Sequence, residues 1–284
     1  MKIFVRIFGL MGVILGLIMS IFSFTTDLSL HIVSYEIKNA LIDDKLSGTK
    51  IVHLSDYHNH GLYYKNGYLP DMIKSEHPDM IMITGDFIDQ YTTSIDSIKE
   101  LFDETKDIPT YVITGNHEYY ANLKDEYFNL ISSYDNITYL YDSYTKVFLK
   151  GTSFNIGGIH DPYIEEKGTI ATYKDDIRIM EPYLKDLRES MDDEFNILLS
   201  HRPSMASLFD KYDFDLVLSG HTHGGQVSFV TPKHEADGSI HYSSGLYEVG
   251  DTSLIVSNGI GSSGKLPIRV NTPMQLNVIT LVSK

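Results

Sequence analysis

The sequence contains no cysteine, and its basic side chains are few. Without cysteine there is no disulfide framework, no thiolate nucleophile and no thiolate metal site, so any metal must be held by nitrogen and oxygen. The chain carries 38 acidic against 23 basic side chains, a formal charge of −15. Such a surface repels nucleic acid and anionic lipid headgroups. The composition therefore argues against a nucleic-acid partner and against electrostatic attachment to a membrane.

Long uncharged apolar runs are also missing, except near the N-terminus. Residues 8–24 carry no charge, and Lys2 and Arg6 precede them. This run is close to the lower limit for a membrane-spanning helix, roughly 17–25 residues. A cleaved signal peptide is the alternative, but residues 22–26 form a poor cleavage site, which favours an uncleaved transmembrane anchor. The positive-inside rule then predicts a single-pass protein of the cell membrane, with residues 27–284 outside the cytoplasm.

Beyond the anchor, short apolar runs alternate with segments of helical spacing. Near-continuous apolar runs of this length are typical of strands buried on both faces; they lie at residues 50–54, 79–84, 110–114, 195–199 and 215–218. Ser94 is a candidate N-cap for a helix over Ile95–Phe102, and a second helical pattern runs over Ile177–Leu187. This alternation predicts an α/β fold with a largely parallel sheet.

The domain organisation follows from the same patterns. From about residue 227 onward the helical segments stop, and short strands with Gly-Ser turns take over. No linker divides the chain after residue 40. We therefore predict an N-terminal anchor at 1–26, a connector and first strand region at 27–47, and one catalytic domain at 48–284.

Each of the five predicted strands leads into Asp, Asn or His side chains. They are Asp56 and His58, Asp86 and Asp89, Asn116 and His117, His201, and His221 and His223. Ligands of open α/β sheets gather at the carboxyl ends of strands, so these side chains are expected to form one site. A lone histidine is more often a satisfied core residue, but five coincidences at one sheet edge outweigh that interpretation.

As a set, these motifs resemble the five sequence blocks of the calcineurin-like metallophosphoesterases, in the order of that family. The blocks are Asp56-x-His58, Gly85-Asp86-x-x-Asp89, Gly115-Asn116-His117-Glu118, His201 and Gly220-His221-x-His223. The resemblance covers residues 48–226, and the tail at 242–261 is similar to the bacterial membrane-associated phosphodiesterase branch. It implies a four-layer α/β/β/α sandwich, in which two mixed sheets face each other and helices lie outside.

The resemblance also implies two divalent metal ions, Mn²⁺, Zn²⁺ or Fe, whose ligands contain no sulfur. Such a pair, roughly 3.5–4 Å apart, clamps a phosphoryl group and lowers the pKa of a bridging water, so that hydroxide attacks. Asp86 would bridge the two ions. The first metal would be held by Asp56, His58, Asp86 and His223, and the second by Asp86, Asn116, His201 and His221. Small residues near the last two histidines would let the backbone approach the metals.

The remaining polar residues receive roles from the same resemblance. His117 would protonate the leaving group, and Asp89 would orient its imidazole. Glu118 is expected to support the site without binding a metal. Asn116 and His60 are the candidate substrate-binding residues.

Two further histidines have no role in the resemblance. His53 lies within the first strand and points away from the site if Asp56 and His58 face it, so we expect it in the core. His160 either lines the rim of the cleft or lies in the core. The sequence leaves that choice open, as it does the oligomeric state.

The substrate prediction depends on two departures from the family pattern. Gln90 stands where phosphoprotein phosphatases have a phosphate-holding arginine, and Tyr119 stands where they have a cysteine. A phosphodiesterase that acts on a small phosphoester or an envelope phosphodiester is therefore favoured over a protein phosphatase. A lipid-linked nucleotide-sugar pyrophosphatase remains an alternative, although such enzymes face the cytoplasm. So does a non-catalytic envelope module stabilised by metals, against which His117 and Asp89 argue.

Overall fold

The computed structural model describes residues 29–59, 61–164, 173–225, 242–262, 269–270 and 272–284, with Gly12 and Gly16 alone from the N-terminal segment. The predicted transmembrane anchor and His60 therefore lie outside the described residues. Within those ranges no helix combines the length and the apolar character needed to cross a membrane. The transmembrane helix stays a prediction.

Two six-stranded sheets dominate the described chain. The first has the order β1 (Leu30–Asn39), β14 (Met274–Ser283), β2 (Lys50–Leu54), β5 (Met80–Thr84), β6 (Thr110–Ile113) and β7 (Ile137–Tyr139). The second has the order β12 (Gly245–Val249), β13 (Thr252–Val256), β11 (Leu216–Ser219), β10 (Asn196–Leu199), β9 (Thr152–Gly158) and β8 (Ser143–Leu149). A separate hairpin joins β3 (Tyr63–Tyr64) to β4 (Gly67–Tyr68).

Both sheets are mixed, as predicted. In the first sheet, β14 runs antiparallel to β2 while the other pairs are parallel. In the second sheet, the outer strands β12 and β8 are antiparallel to their neighbours, and β9, β10, β11 and β13 are parallel. All five strands expected from the apolar runs are present, with ends that differ by one residue at most.

Five α-helices cover the outer faces of the two sheets in the described part of the chain. They are α1 (Leu69–Ser75), α2 (Asp96–Glu104), α3 (Lys124–Ser132), α4 (Tyr173–Ser190) and α5 (Ala206–Lys211). Helices α1 to α3 pack on the first sheet, for example through Phe102 and Tyr127. Helices α4 and α5 pack on the second sheet through residues such as Leu184 and Phe209. Both predicted helices are confirmed.

The start of α2 differs slightly from the prediction. Ile95, not Ser94, holds the N-cap position. Ser94 nevertheless serves the first turn, because its Oγ accepts a hydrogen bond from the backbone N–H of Asp96 at 3.1 Å. Such a bond satisfies one of the N–H groups that a helix start leaves without an intrahelical partner.

The space between the sheets is filled by a third buried cluster. It combines first-sheet residues such as Ile51 and Met82 with second-sheet residues such as Ile197 and Leu216. The sheets therefore pack face to face between two helical layers, and the predicted α/β architecture of two facing mixed sheets is present. A close-packed core of this kind fixes the relative position of the strand ends.

The carboxyl ends of the two sheets meet at one edge. The backbone oxygen of Thr84, at the end of β5 in the first sheet, lies 2.7 Å from Nδ1 of His201, which follows β10 in the second. The backbone N–H of His221, after β11, donates to Asp56, after β2, at 3.0 Å. The sequence prediction that these strand ends share one site is thus reproduced in their contacts.

His53 is a core residue, as expected from its place in β2. It is fully buried, with Nε2 2.8 Å from Oγ1 of Thr84 and Nδ1 3.3 Å from Nδ2 of Asn277. Burial lowers the pKa of His53 to about 3. The folded protein therefore holds this imidazole in its neutral form at physiological pH.

A His53→Gln variant tests this buried neutral imidazole. The ordinary pKa of histidine is 6.5, and the pKa of His53 in the folded protein is about 3. Below pH 6.5, His53 is therefore protonated in the unfolded chain but stays neutral in the folded protein. Stability is lost as pH falls through that window, at up to about 1.4 kcal/mol per unit. Between pH 7.5 and 5.5, in EDTA, the free energy of unfolding in urea should fall by roughly 1 kcal/mol more for the wild type than for the variant. An equal loss of unfolding free energy in the wild type and the variant would contradict a buried neutral imidazole at His53.

Candidate metal centre

The predicted ligands lie on strained turns at the strand ends. Five of them have a positive φ, between 48° and 69°: Asp56, His58, Asp86, His221 and His223. This left-handed region is sparsely populated by residues other than glycine, although Asp and His enter it more readily than most. Such conformations cost of order 1–3 kcal/mol each and cluster at functional sites. Their concentration at one sheet edge therefore marks this edge as a functional site.

Glycines allow these turns to approach one another. A Cβ on Gly220 would overlap with the side chains of Ser55 and Asp56, and a Cβ on Gly115 would overlap with Asp86 and His201. Any side chain at these two positions would push the strand ends apart. Glycine at these two positions therefore permits the close approach of the turns, and the approach of the backbone to metal ions stays a prediction.

The first ligand cluster consists of Asp56, His58 and His223, all buried. The Nε2 atoms of His58 and His223 are 3.1 Å apart, and Nε2 of His223 lies 3.3 Å from Oδ1 of Asp56. One ligand atom from each residue lies within 4.8 Å of the others. These atoms can therefore bind one metal ion together.

The second cluster consists of Asp86, His201 and His221. Nε2 of His201 is 3.2 Å from Oδ2 of Asp86 and 3.2 Å from Nδ1 of His221. Asn116 adds an amide whose Oδ1 is buried and has no hydrogen-bond partner among the described residues. Its Nδ2 donates to the Tyr120 hydroxyl at 3.0 Å, which fixes the orientation of the amide. An unpaired buried oxygen is unfavourable, and a metal ion would satisfy it.

Asp86 faces both clusters. Besides its 3.2 Å contact with His201, its Oδ2 lies 3.9 Å from Nε2 of His58 in the first cluster. The other oxygen, Oδ1, accepts the backbone N–H of His117 at 2.9 Å. The donor set is nitrogen and oxygen throughout, which suits two divalent metals of the predicted kind. Each cluster contains three of the four residues of one predicted ligand set, and metal binding by them stays a prediction.

Protonation differs sharply within these clusters. Burial raises the pKa of Asp86, but His201, His117 and His58 outweigh it and hold that pKa well below its usual range. Burial lowers the pKa of His201, but Asp86 outweighs it and raises the pKa to about 10. Asp86 and His201 therefore form a buried ion pair in the metal-free protein. The pKa values of His221 and His223 lie well below normal, chiefly through burial, so both imidazoles are neutral.

Glu118 supports the site from beneath, as predicted. Its fully buried carboxylate accepts the backbone N–H groups of Asp86 at 3.1 Å, Phe87 at 2.6 Å and Gly115 at 2.8 Å. Burial and the nearby Asp86 charge raise the pKa of Glu118 to about 7. Glu118 thus ties the turn after β5 to the turn after β6.

Asp89 has a different partner from the one predicted. Its Oδ2 lies 3.4 Å from Nδ1 of His58. The expected Asp89–His117 hydrogen bond is not among the contacts of the described residues, where Nδ1 of His117 is buried without a partner. A carboxylate oxygen of Asp89 still lies within 4.8 Å of ring nitrogens of both histidines. Asp89 therefore lies beside both imidazoles, and its role in orienting one of them stays a prediction.

His117 lies at the rim of the site. Its ring stands edge-on to that of His58, with centroids 4.8 Å apart, and its side chain is 15% exposed. Burial lowers the pKa of His117 despite the opposing effect of Asp86. The imidazole lies close to Asp86 and His58 and is partly exposed to solvent. His160, by contrast, lies in the core, with a fully buried ring whose Nδ1 is 2.7 Å from Asp142.

Two arginines near the clusters were not identified from the sequence. Arg269 is fully buried, and its Nη2 lies 3.0 Å from Nδ1 of His223 while donating to the backbone oxygen of Asn258 at 2.7 Å. Arg202 directly follows His201 and donates from Nε to Asp161 at 2.8 Å. Two features of the sequence could have indicated them. Arg269 is a lone arginine in an apolar segment of the tail, and Arg202 stands directly after the predicted ligand His201.

Binding of a divalent metal should release protons. His201 is protonated at neutral pH in the metal-free protein, and a metal binds only the neutral imidazole. Calorimetric titration of Zn²⁺ in two buffers of different ionisation enthalpy measures the release. His201→Gln should release about one proton fewer than the wild type, and the exposed control His31→Gln should match the wild type. Equal release from His201→Gln would contradict the buried ion pair.

Comparisons with known proteins agree with this site. The family model described as calcineurin-like phosphoesterase matches residues 49–225. An uncharacterized metallophosphoesterase of Campylobacter jejuni is 32% identical over 83% of this chain, which spans 59% of that relative's length. The uncharacterized metallophosphoesterase YkuE of Bacillus subtilis is 28% identical, and the match covers 88% of this chain and 84% of the length of YkuE.

Among solved structures, a 5'-nucleotidase of Candida albicans matches this chain at 15% identity and a TM-score of 0.48. The match covers 75% of this chain and 46% of the nucleotidase chain. The family match itself covers the segment that carries all five predicted motifs. The chain therefore belongs to the calcineurin-like phosphoesterase family.

Proposed function

We propose that this protein is a two-metal phosphodiesterase that uses His117 as general acid. The observation that carries the proposal is the Asp86 carboxylate, which belongs to one cluster of nitrogen and oxygen ligands and lies 3.9 Å from His58 of the other. When bound, two divalent metals would supply Lewis-acid activation of a phosphoryl group and of a water. The unpaired Oδ1 of Asn116 supports a second metal position beside His201 and His221.

The chain's own residues have separate roles in this proposal. Asp86 holds the two ligand sets in register, and Asp89 orients His58 through its 3.4 Å contact. His117 lies beside the clusters with a side chain that is 15% exposed, so a substrate can contact it. Its lowered pKa leaves it largely neutral in the free protein. A bound phosphoester brings negative charge, which favours the imidazolium and prepares His117 to donate a proton to the leaving oxygen.

Gln90 supports a diester over a protein phosphomonoester substrate. The arginine that phosphoprotein phosphatases place at this position is absent, so the site has less positive charge there for a dianionic monoester. A panel of aryl phosphodiester, phosphomonoester and pyrophosphate substrates, assayed with Mn²⁺ or Zn²⁺ and with EDTA, tests the proposal. Metal-dependent hydrolysis fastest on the diester is expected. Failure to hydrolyse any phosphoester would refute it.

Asp86→Asn should lower metal occupancy and abolish activity together. The substitution removes negative charge from a carboxylate that faces both clusters, so both metal positions weaken at once. Elemental analysis of the dialysed protein measures the metal content. A variant that keeps two metals and full activity would show that Asp86 does not bridge them.

His117→Ala should keep both metals and lose roughly 10²–10⁴-fold in rate, the usual contribution of general acid catalysis. The loss should shrink with nitrophenolate as leaving group, because its departure needs no proton. His31→Ala, on the exposed part of β1, is the matched control and should leave the metal content and the rate unchanged. Loss of a metal from His117→Ala, or equal slowing on good and poor leaving groups, would assign His117 a different role.

We further propose that the catalytic domain is held outside the cytoplasm by the N-terminal anchor. Support comes from the uncharged run at 8–24 and from Lys2 and Arg6 on its N-terminal side. Protease added to intact cells should then degrade the domain. Protection in intact cells combined with degradation after lysis would reverse the topology.

A further inference from the structure

Arg202 and Asp161 form an ion pair at the same sheet edge as the metal ligands. Arg202 follows His201 after β10, and Asp161 follows the neighbouring parallel strand β9. The register pairs Leu199 of β10 with Gly158 of β9, so the two strands end side by side. Nε of Arg202 donates to Oδ2 of Asp161 at 2.8 Å. The guanidinium is thereby held beside the second ligand cluster.

The contact with Asp161 leaves most of the guanidinium unused. Asp161 is 1% exposed, whereas the Arg202 side chain is 16% exposed. Among the described residues, neither Nη1 nor Nη2 of Arg202 has a hydrogen-bond partner. Neither of these atoms is among the fully buried, unpaired ones. Arg202 therefore keeps N–H donors for a ligand while its buried partner fixes the plane of the group.

The charge of Arg202 lies close to the second cluster. Arg202 directly follows His201, a member of that cluster, and its Nε is fixed by Asp161 at 2.8 Å. An anion bound beside His201 would be attracted by this positive charge.

The other arginine near the site cannot take this position. Arg269 is fully buried and donates to backbone oxygens beneath the first cluster. Gln90, in the place of a phosphate-holding arginine, carries no charge. Of these two described arginines, only Arg202 has a partly exposed side chain that a substrate could contact.

We propose that Arg202 binds the phosphoryl group, donating from its terminal nitrogens to non-bridging oxygens at the second cluster, and that Asp161 positions it. The proposal rests on the proposed function for the identity of the ligand as a phosphoester. A guanidinium suits this task because its planar fork can donate two parallel hydrogen bonds to one phosphate. A lysine at this position would supply the positive charge but could not donate two parallel hydrogen bonds to one phosphate.

Binding of inorganic phosphate to the Mn²⁺-loaded protein tests the proposal directly. Calorimetric titration should show binding to Arg202→Gln weakened by about tenfold or more, since a charge-assisted bidentate contact is lost. Arg202→Lys should lie between Arg202→Gln and the wild type. Arg188→Gln is the matched control, because it also removes an arginine that is paired with an aspartate, Asp193, at 3.1 Å. It should bind phosphate as the wild type does.

Metal content and thermal unfolding of each variant separate ligand binding from structural support. Equal phosphate affinity in Arg202→Gln and the wild type would overturn the proposal, even if Tm falls, since Arg202 would then only neutralise Asp161. If Arg202→Gln fails to fold, Arg202→Lys and Asp161→Asn carry the test, and wild-type affinity in both would overturn it. A wild type that hydrolyses no phosphoester, while Arg202→Gln still loses phosphate binding, would refute the proposed function and leave the role of Arg202 standing.

Discussion

The buried carboxylate of Asp86 is the constraint around which the site is built. It is 1% exposed, and an ionised group in such a place requires compensation. His201 at 3.2 Å and the N–H of His117 at 2.9 Å provide that compensation in the metal-free protein. In the loaded protein the metals would replace the imidazolium proton as the source of positive charge. The same carboxylate thus contacts residues of both clusters.

The remainder of the fold holds this carboxylate in position. The buried cluster between the sheets fixes the strand ends, and the left-handed turns at Asp56 and Asp86 direct their side chains to the shared edge. Glu118 then joins the turns after β5 and β6 through backbone N–H groups. Several kcal/mol of backbone strain are tolerated here because packing and hydrogen bonds over-determine the local structure. Rigid placement of this kind is what a two-metal site needs.

The sequence predicted the ligands better than their supports. The ligands follow buried strands, and the carboxyl ends of parallel strands in one sheet meet, so the proximity of Asp86 and Asn116 could be inferred from pattern alone. The meeting of Asp86 with His201 joins two sheets, and it was expected only from the family resemblance. The partner of Asp89 could not be inferred from pattern, because its carboxylate lies within reach of two imidazoles and their relative rotation depends on packing. Arg269 comes from the distant tail, and Asp161 from a strand that carried no recognised motif. Their contacts depend on the order of strands in each sheet, which local sequence does not encode.

We propose above that the Asp86 carboxylate joins two metal ions. Electron paramagnetic resonance of the protein loaded with Mn²⁺, taken together with the Mn²⁺ content per chain, measures this without reference to any substrate. Two ions roughly 3.5–4 Å apart and bridged by Asp86 should give two Mn²⁺ per chain and a spectrum of exchange-coupled spins. A single bound ion, or two ions with the spectra of isolated Mn²⁺, would contradict the account.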